Sequence, residues 1–224
     1  MKRSGCLATA LTVIVFAAVP AAAKPPTNWD GLVQVQSKRL AYVYLQPGAD
    51  FRGYTKVMLD PTEVAFHKDW RRDYNRSRRD LSGNISESDL ERAVSEGITG
   101  ASDIFAKAWT KGGYPVVGSP GPDVLRVRTA IMNIRVTAPD QQTAGRSYSF
   151  SDNAGSAQLV IEVRDSTTNA LLGRAVDGKI AGDTTMGWRS SVSNRGDFRD
   201  LVEQWAKTSV NGMAVLKSMS PTSQ

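Results

Sequence analysis

Few residues in this chain are equipped for catalysis. His67 is the only histidine and Cys6 the only cysteine. Imidazole or thiolate metal centres need several such ligands from one chain, so none is expected here. A Ser-His-Asp arrangement would have to use His67, which stands beside Lys68 and near Arg71, and no serine lies in a G-x-S-x-G elbow. A histidine at a strand surface is the ordinary reading. "GRAVDGKI", Gly173 to Ile180, is one residue short of a phosphate-cradling loop: Ile180 stands where a hydroxyl should follow the lysine, and "AGDTTMGW" does not begin a helix. It reads instead as a strand with coincidental glycines. Two carboxylates would suffice for acid and base work, but Asp50, Asp60, Asp152, Asp165, Asp177 and Asp183 all fall near turn signals, where Asp is common for local reasons. No pair stands out.

The strongest chemical signal is "HKDWRRDYNRSRRD", His67 to Asp80. Lys68, Arg71, Arg72, Arg76, Arg78 and Arg79 alternate there with Asp69, Asp73 and Asp80, leaving the segment at net +3. Two readings stay open. If the segment turns helical beyond Trp70, Asp69 with Arg72, Asp73 with Arg76 and Arg76 with Asp80 pair at three- or four-residue spacing and form a solvated face. Alternatively, Lys68, Trp70, Arg71, Arg72, Arg76, Arg78 and Arg79 form a binding surface for an anionic partner. Lipid headgroups, polysaccharide phosphates or an acidic envelope protein would be held by arginines that grip oxyanions bidentately.

Compartment narrows the choice of partner. "MKRSGCLATALTVIVFAAVPAAAK" has a charged start, an apolar run from about Leu7 to Val19, and small residues at Ala21 to Ala23, the pattern of a secretory signal. The run falls short of the roughly 20 apolar residues that span a bilayer, so no transmembrane helix is expected after cleavage near Ala23. Cys6 follows only "MKRSG", so it has no apolar segment before it and cannot serve as a lipid-attachment site. Cleavage leaves a cysteine-free chain and removes Lys2 and Arg3, taking the net charge from +6 to +4. A periplasmic protein meets neither nucleotides nor nucleic acid as a rule, and no cofactor is expected.

Behind the signal (1–23), an extended lead-in covers 24–30, one domain 31–218, and a disordered tail 219–224. "GLVQVQ", "LAYVYL" and "TKVMLDPTEVAFHKDW" are short, Val- and Tyr-rich and interrupted by Pro47-Gly48 and Asp60-Pro61, which signals strands and turns. In the last of them Val64, Phe66 and Trp70 share one parity of a half-buried strand. "SESDLERAVSEGITGASDIFAKAWTKGG" opens with Ser86 and Asp89, or Ser88 and Glu91, as a capping box, and spaces Leu90, Val94, Ile98, Ala101, Phe105 and Trp109 for one amphipathic helix from about Ser88 to Lys111. In "VLRVRTAIMNIRVTAP", apolar Leu125, Val127 and Ile131 share one parity, whereas Met132, Ile134 and Val136 share the other. A bulge, or burial on both faces, is implied. "AQLVIEVRD" and "ALLGRAVDG" form a hairpin around Ser166 to Asn169, and "DFRDLVEQWAKTSVNGMAVLKSM" closes as a second helix. The fold expected is α+β: an antiparallel sheet of about five to seven strands with two amphipathic helices packed on one face.

Taken together, "WDGLVQVQSKRLAYVYLQPGADFRGYTKVMLDP", "VAFHKDW", "GPDVLRVRTAIMNIRVTAPD", "AGSAQLVIEVRDSTTNALLGRAVD" and "DFRDLVEQWA" resemble the bacterial exported family called domain of unknown function 3313, over Trp29 to about Ala206. The resemblance implies an envelope protein, often a lipoprotein, and carries no catalytic residue. The expected function is a non-catalytic binding or assembly module of the periplasm, its partner an envelope protein or an anionic lipid or polysaccharide. The alternative is a carboxylate-dependent hydrolase of a cell-wall or glycan substrate.

Overall fold

The computed structural model describes residues 26–77, 84–136, 149–151, 154–182, 187–189 and 191–221. In chain order the elements are β1 (Asn28–Trp29), β2 (Leu32–Val35), β3 (Tyr42–Leu45), β4 (Lys56–Leu59), β5 (Glu63–Phe66), α1 (Trp70–Ser77), α2 (Glu87–Lys111), β6 (Val124–Val136), β7 (Ser149–Ser151), β8 (Gly155–Asp165), β9 (Leu171–Ala181), β10 (Gly187–Arg189) and α3 (Ser191–Met219). Eight strands form one open sheet in the order β1-β2-β3-β9-β8-β6-β4, with β5 beside β4 along the same outer edge of β6; β7 and β10 pair separately.

The α+β class is as expected, with two differences. The sheet has eight strands, and it is not wholly antiparallel: β4 and β5 both run parallel to β6. Parallel neighbours need a long crossover, and the chain supplies one by passing through α1 and α2 between β5 and β6. The break expected at Asp60-Pro61 is present: β4 and β5 lie on either side of it, since proline has no N–H to donate to the ladder. Val64 and Phe66 do face the core side. Trp70 belongs to α1, a third helix.

The long strands β6, β8 and β9 form the centre of the sheet. β8 pairs with β6 on one side and with β9 on the other over nearly its whole length. Alternation on these strands sends Leu125, Val127, Ile131, Leu159 and Ile161 to one face, where Ala101, Phe105 and Trp109 of α2 and Leu201, Trp205, Ala206 and Met213 of α3 meet them. At Asn133 the parity of β6 flips. Both neighbours lose register there by one residue, and Asn133 itself sits at φ 52°, the left-handed region that asparagine tolerates better than most residues. Its amide donates to Gln158 Oε1 at 2.7 Å. The bulge returns Ile134 to the core side.

Ser86 caps α2. Its hydroxyl accepts from the Asp89 N–H, and the Asp89 carboxylate accepts from the Ser86 N–H, which is the first of the two capping boxes considered. At the other end Gly112 fits where a Cβ would lie 2.2 Å from Val210 Cγ1 of α3. That glycine sets how closely the two helices cross.

Candidate functional site

The described part of the basic segment forms helix α1 from Trp70 to Ser77. The His67 carbonyl accepts from the Trp70 N–H, and His67 Nδ1 accepts from the Asp69 N–H at 3.3 Å, so the histidine shapes the entry to α1. Trp70 points inward: it is buried, its indole N–H donates to the Val136 carbonyl at 3.1 Å, and it stacks between Phe66 and Tyr74. It anchors α1 to the sheet and offers no ring to a partner. Arg72 pairs with Asp69 at 3.1 Å and Asp73 at 3.0 Å, the first of the pairings expected for a solvated face. Arg71 reaches Glu87 only at 4.0 Å. Lys68 and Arg76 are exposed and have no ion-pair partner among the described residues. Arg78 and Arg79 lie outside the described residues.

The four candidate carboxylates among the described residues are occupied by local structure. Asp50 is held at about 2 by hydrogen bonds from Arg52. Asp60 is gripped by Arg126 at 2.9 Å and Arg128 at 3.1 Å. Asp165 accepts from the backbone of Thr168 and Thr167 and from Tyr54 Oη, bonds that hold it below the ordinary carboxylate range. Asp177 is buried on the core side, accepting from the Trp205 indole at 2.8 Å and from the Ala41 N–H at 3.2 Å. Asp152 and Asp183 lie outside the described residues. Gly173 to Ile180 runs as strand β9, with Arg174 and Asp177 committed to opposite faces of the sheet, so it cradles nothing. Among the described residues, no group of three or more His, Cys, Asp or Glu is placed to hold a metal ion.

On the sheet face away from the helices, register aligns Gln34, Tyr44, Arg174, Glu162 and Arg128 in one row across five strands. Glu162 is only 2% exposed and sits at the centre of this row. One of its oxygens accepts from Arg174 at 2.6 and 3.0 Å, the other from Arg164 at 2.9 and 3.1 Å. Arg174 also reaches Asp30 at 2.8 Å and lies 4.2 Å over the Trp29 ring, which meets Tyr44 edge-on. Burial would raise the Glu162 carboxyl, but the two guanidinium partners outweigh it and hold the group below its ordinary value. Every arginine in the row is thus neutralised, and the network is structural.

A surface feature shaped like a ligand site lies on the other face, where α3 stands away from β2, β3 and β9. It is a groove of about 400 Å³, within the range of roughly 300–1,000 Å³ typical of small-molecule sites. Gly173 and Ala175 form its floor, and Val43, Leu45, Met213 and Leu216 its apolar walls. Gly212 on α3 borders the open space: a Cβ there would meet nothing within 4 Å, whereas at Gly173 the side chains of Leu45 and Val163 already fill the place of a Cβ. Trp109 is part of the wall, and its buried indole N–H has no hydrogen-bond partner among the described residues. Lys38 and Arg39, exposed on the β2–β3 loop, form part of the lining and make no ion pair among the described residues. No lining residue is Asp or Glu. The sequence reading missed this groove entirely.

No helix among the described residues is long and apolar enough to cross a membrane. No curated protein matches the chain. Several solved structures share parts of its fold at low similarity. A PelC dodecamer from Paraburkholderia phytofirmans is 12% identical with a TM-score of 0.35, the alignment covering 76% of this chain and 95% of that one. A Xanthomonas campestris protein of the DUF330 family is 11% identical with a TM-score of 0.37, covering 78% and 91%. A neuraminyllactose-binding hemagglutinin homologue from Helicobacter pylori is 10% identical with a TM-score of 0.36, covering 77% and 95%. The family assignment is firmer: residues 26–209 match a protein family of unknown function, and the chain belongs to that family, DUF3313.

Proposed function

We propose that the protein is an exported, non-catalytic module of the cell envelope that binds another envelope component, and that the groove beside α3 is its main contact surface. The groove carries this reading because it combines apolar walls with two cations that make no ion pair among the described residues, and its lining contains no carboxylate. Hydrolysis of a glycan would need two carboxylates some 5–9.5 Å apart in a pocket, and this lining contributes none. Sheet-edge pairing has less to support it: β1 is two residues long, and the outer side of β4 is already bonded by Val57 to the Pro115–Val117 backbone.

The test uses the rim. Val215 and Met219 are 56% and 50% exposed, so Val215→Asp with Met219→Asp should leave the fold intact. The immobilised protein is expected to retain a component of an envelope extract, with recovery at least tenfold lower for the double variant. Equal recovery would remove the groove from the reading. Export itself predicts a periplasmic protein whose N-terminal sequence begins near Lys24; a cytosolic chain starting at Met1 would contradict it.

Exposed Lys68 and Arg76 favour a second surface, the basic face of α1. Replacing Arg71, Arg72, Arg76, Arg78 and Arg79 by Ser should then weaken salt-sensitive binding to anionic vesicles. Unchanged binding at low ionic strength would exclude that face.

A further inference from the structure

Resting on the reading of the groove as a binding site, we infer that its occupant is a single-chain anionic amphiphile, an acyl chain ending in a carboxylate. The groove has two unlike ends. At one, the β2–β3 loop is tied down beside Trp205, because the Ala41 N–H and the Trp205 indole share the two oxygens of Asp177. Ser37 Oγ accepts from the N–H groups of Arg39 and Leu40, holding Lys38 and Arg39 in a fixed turn. The neighbouring α3 residues here, Thr208 and Ser209, carry hydroxyls. At the other end the strand meets the last turns of α3, where the Phe51 N–H donates to Ser220 Oγ, and Leu45, Leu216 and Met219 line the groove. Cations therefore stand at one end and methyl groups at the other.

Length and volume fit one chain. From Thr208 to Met219 the helix advances about 16 Å at 1.5 Å per residue. That is on the order of the extended length of a dozen or so carbons, and the volume of about 400 Å³ accommodates one such chain at interior packing density but not two. A neutral hydrocarbon would leave Lys38 and Arg39 unused. A carboxylate would take a charge-assisted bond from Arg39 in a geometry that arginine favours. Partner, chain and head are thus matched along one axis, which distinguishes this site from a simple packing defect.

Binding of sodium myristate and of methyl myristate to the purified protein, followed by displacement of 11-(dansylamino)undecanoate, tests the inference. Myristate is expected to bind at least tenfold more tightly than its ester. Lys38→Glu with Arg39→Glu should abolish that preference and leave the ester unaffected. Gly212→Leu fills open space in the groove and removes a helix-interior glycine, so the variant should fold at least as well as the wild type while losing at least tenfold in affinity for both probes. Equal binding of acid and ester, no effect of Gly212→Leu, or a change of oligomeric state in that variant, which would identify a second copy as the occupant, each overturns the inference. If neither probe binds but recovery of an envelope component still depends on Val215 and Met219, the amphiphile is wrong and the binding module stands.

Discussion

Replacing Glu162 by Gln probes the buried row on the outer sheet face. Both carboxylate oxygens are used, one by each of two guanidinium groups, at 2.6–3.1 Å. Glutamine keeps the volume, but one of its positions becomes a donor facing an arginine that can only donate. Arg174 is 8% exposed and Arg164 17%, so neither can fully rehydrate without leaving the sheet. Removing one partner of a buried ion pair costs about 3–5 kcal/mol because the remaining charge is stranded. Arg174 retains Asp30 and the Trp29 ring, which places the loss toward the lower value. With an m-value of about 2–3 kcal/mol per molar urea for a chain of this size, the unfolding midpoint should fall by about 1 M or more. The acid limb should change as well. Glu162 is held below its ordinary value of 4.5 in the fold, so its contribution is complete above that pH and is lost as pH falls through the folded value. The Gln variant should therefore destabilise less than the wild type on acidification. Replacing all three residues, Glu162→Leu with Arg164→Met and Arg174→Met, should recover most of the loss, since the stranded charges are gone. A Gln variant within about 0.5 kcal/mol of wild type would refute the claim that these charges are desolvated.

Two further substitutions test the packing that positions the groove. Trp205→Phe deletes the 2.8 Å bond to the buried Asp177 carboxylate and should cost at least about 2 kcal/mol in urea unfolding; Asp177→Asn should then cost less in that background than in the wild type. Gly112→Ala drives a methyl to within 2.2 Å of Val210 Cγ1 and is expected to lower stability by about 1–3 kcal/mol. Val210→Ala should recover part of that loss when the two are combined, and strictly additive effects would show that the helices adjust independently.

The contrast between what was legible in the sequence and what was not follows from how each feature is encoded. Local rules are written locally. Two candidate capping boxes, one of them the Ser86 and Asp89 pair that caps α2, bracketed the start of that helix, and the parity change after Ile131 left a bulge, found at Asn133, or burial on both faces, because each depends on neighbours in the chain. Strand direction is not encoded that way: Lys56–Leu59 and Glu63–Phe66 read alike whether they run parallel or antiparallel to β6, and only the helical crossover after them decides. Trp70 was half legible: its parity with Val64 and Phe66 marks the side that is buried, whereas its place at the start of α1 and its bond to the Val136 carbonyl depend on residues distant in the chain. The groove was hidden most completely. Its walls come from segments near residues 35–45, 161–175 and 208–219, and each apolar residue in them reads as ordinary core. The vacancy arises only where α3 is laid against the sheet, with Gly212 bordering open space that a side chain there would fill. Filling that gap from one side, at Gly212, is accordingly the perturbation that separates a site retained for a ligand from a core packed incompletely: the first loses binding when filled, whereas the second only gains stability.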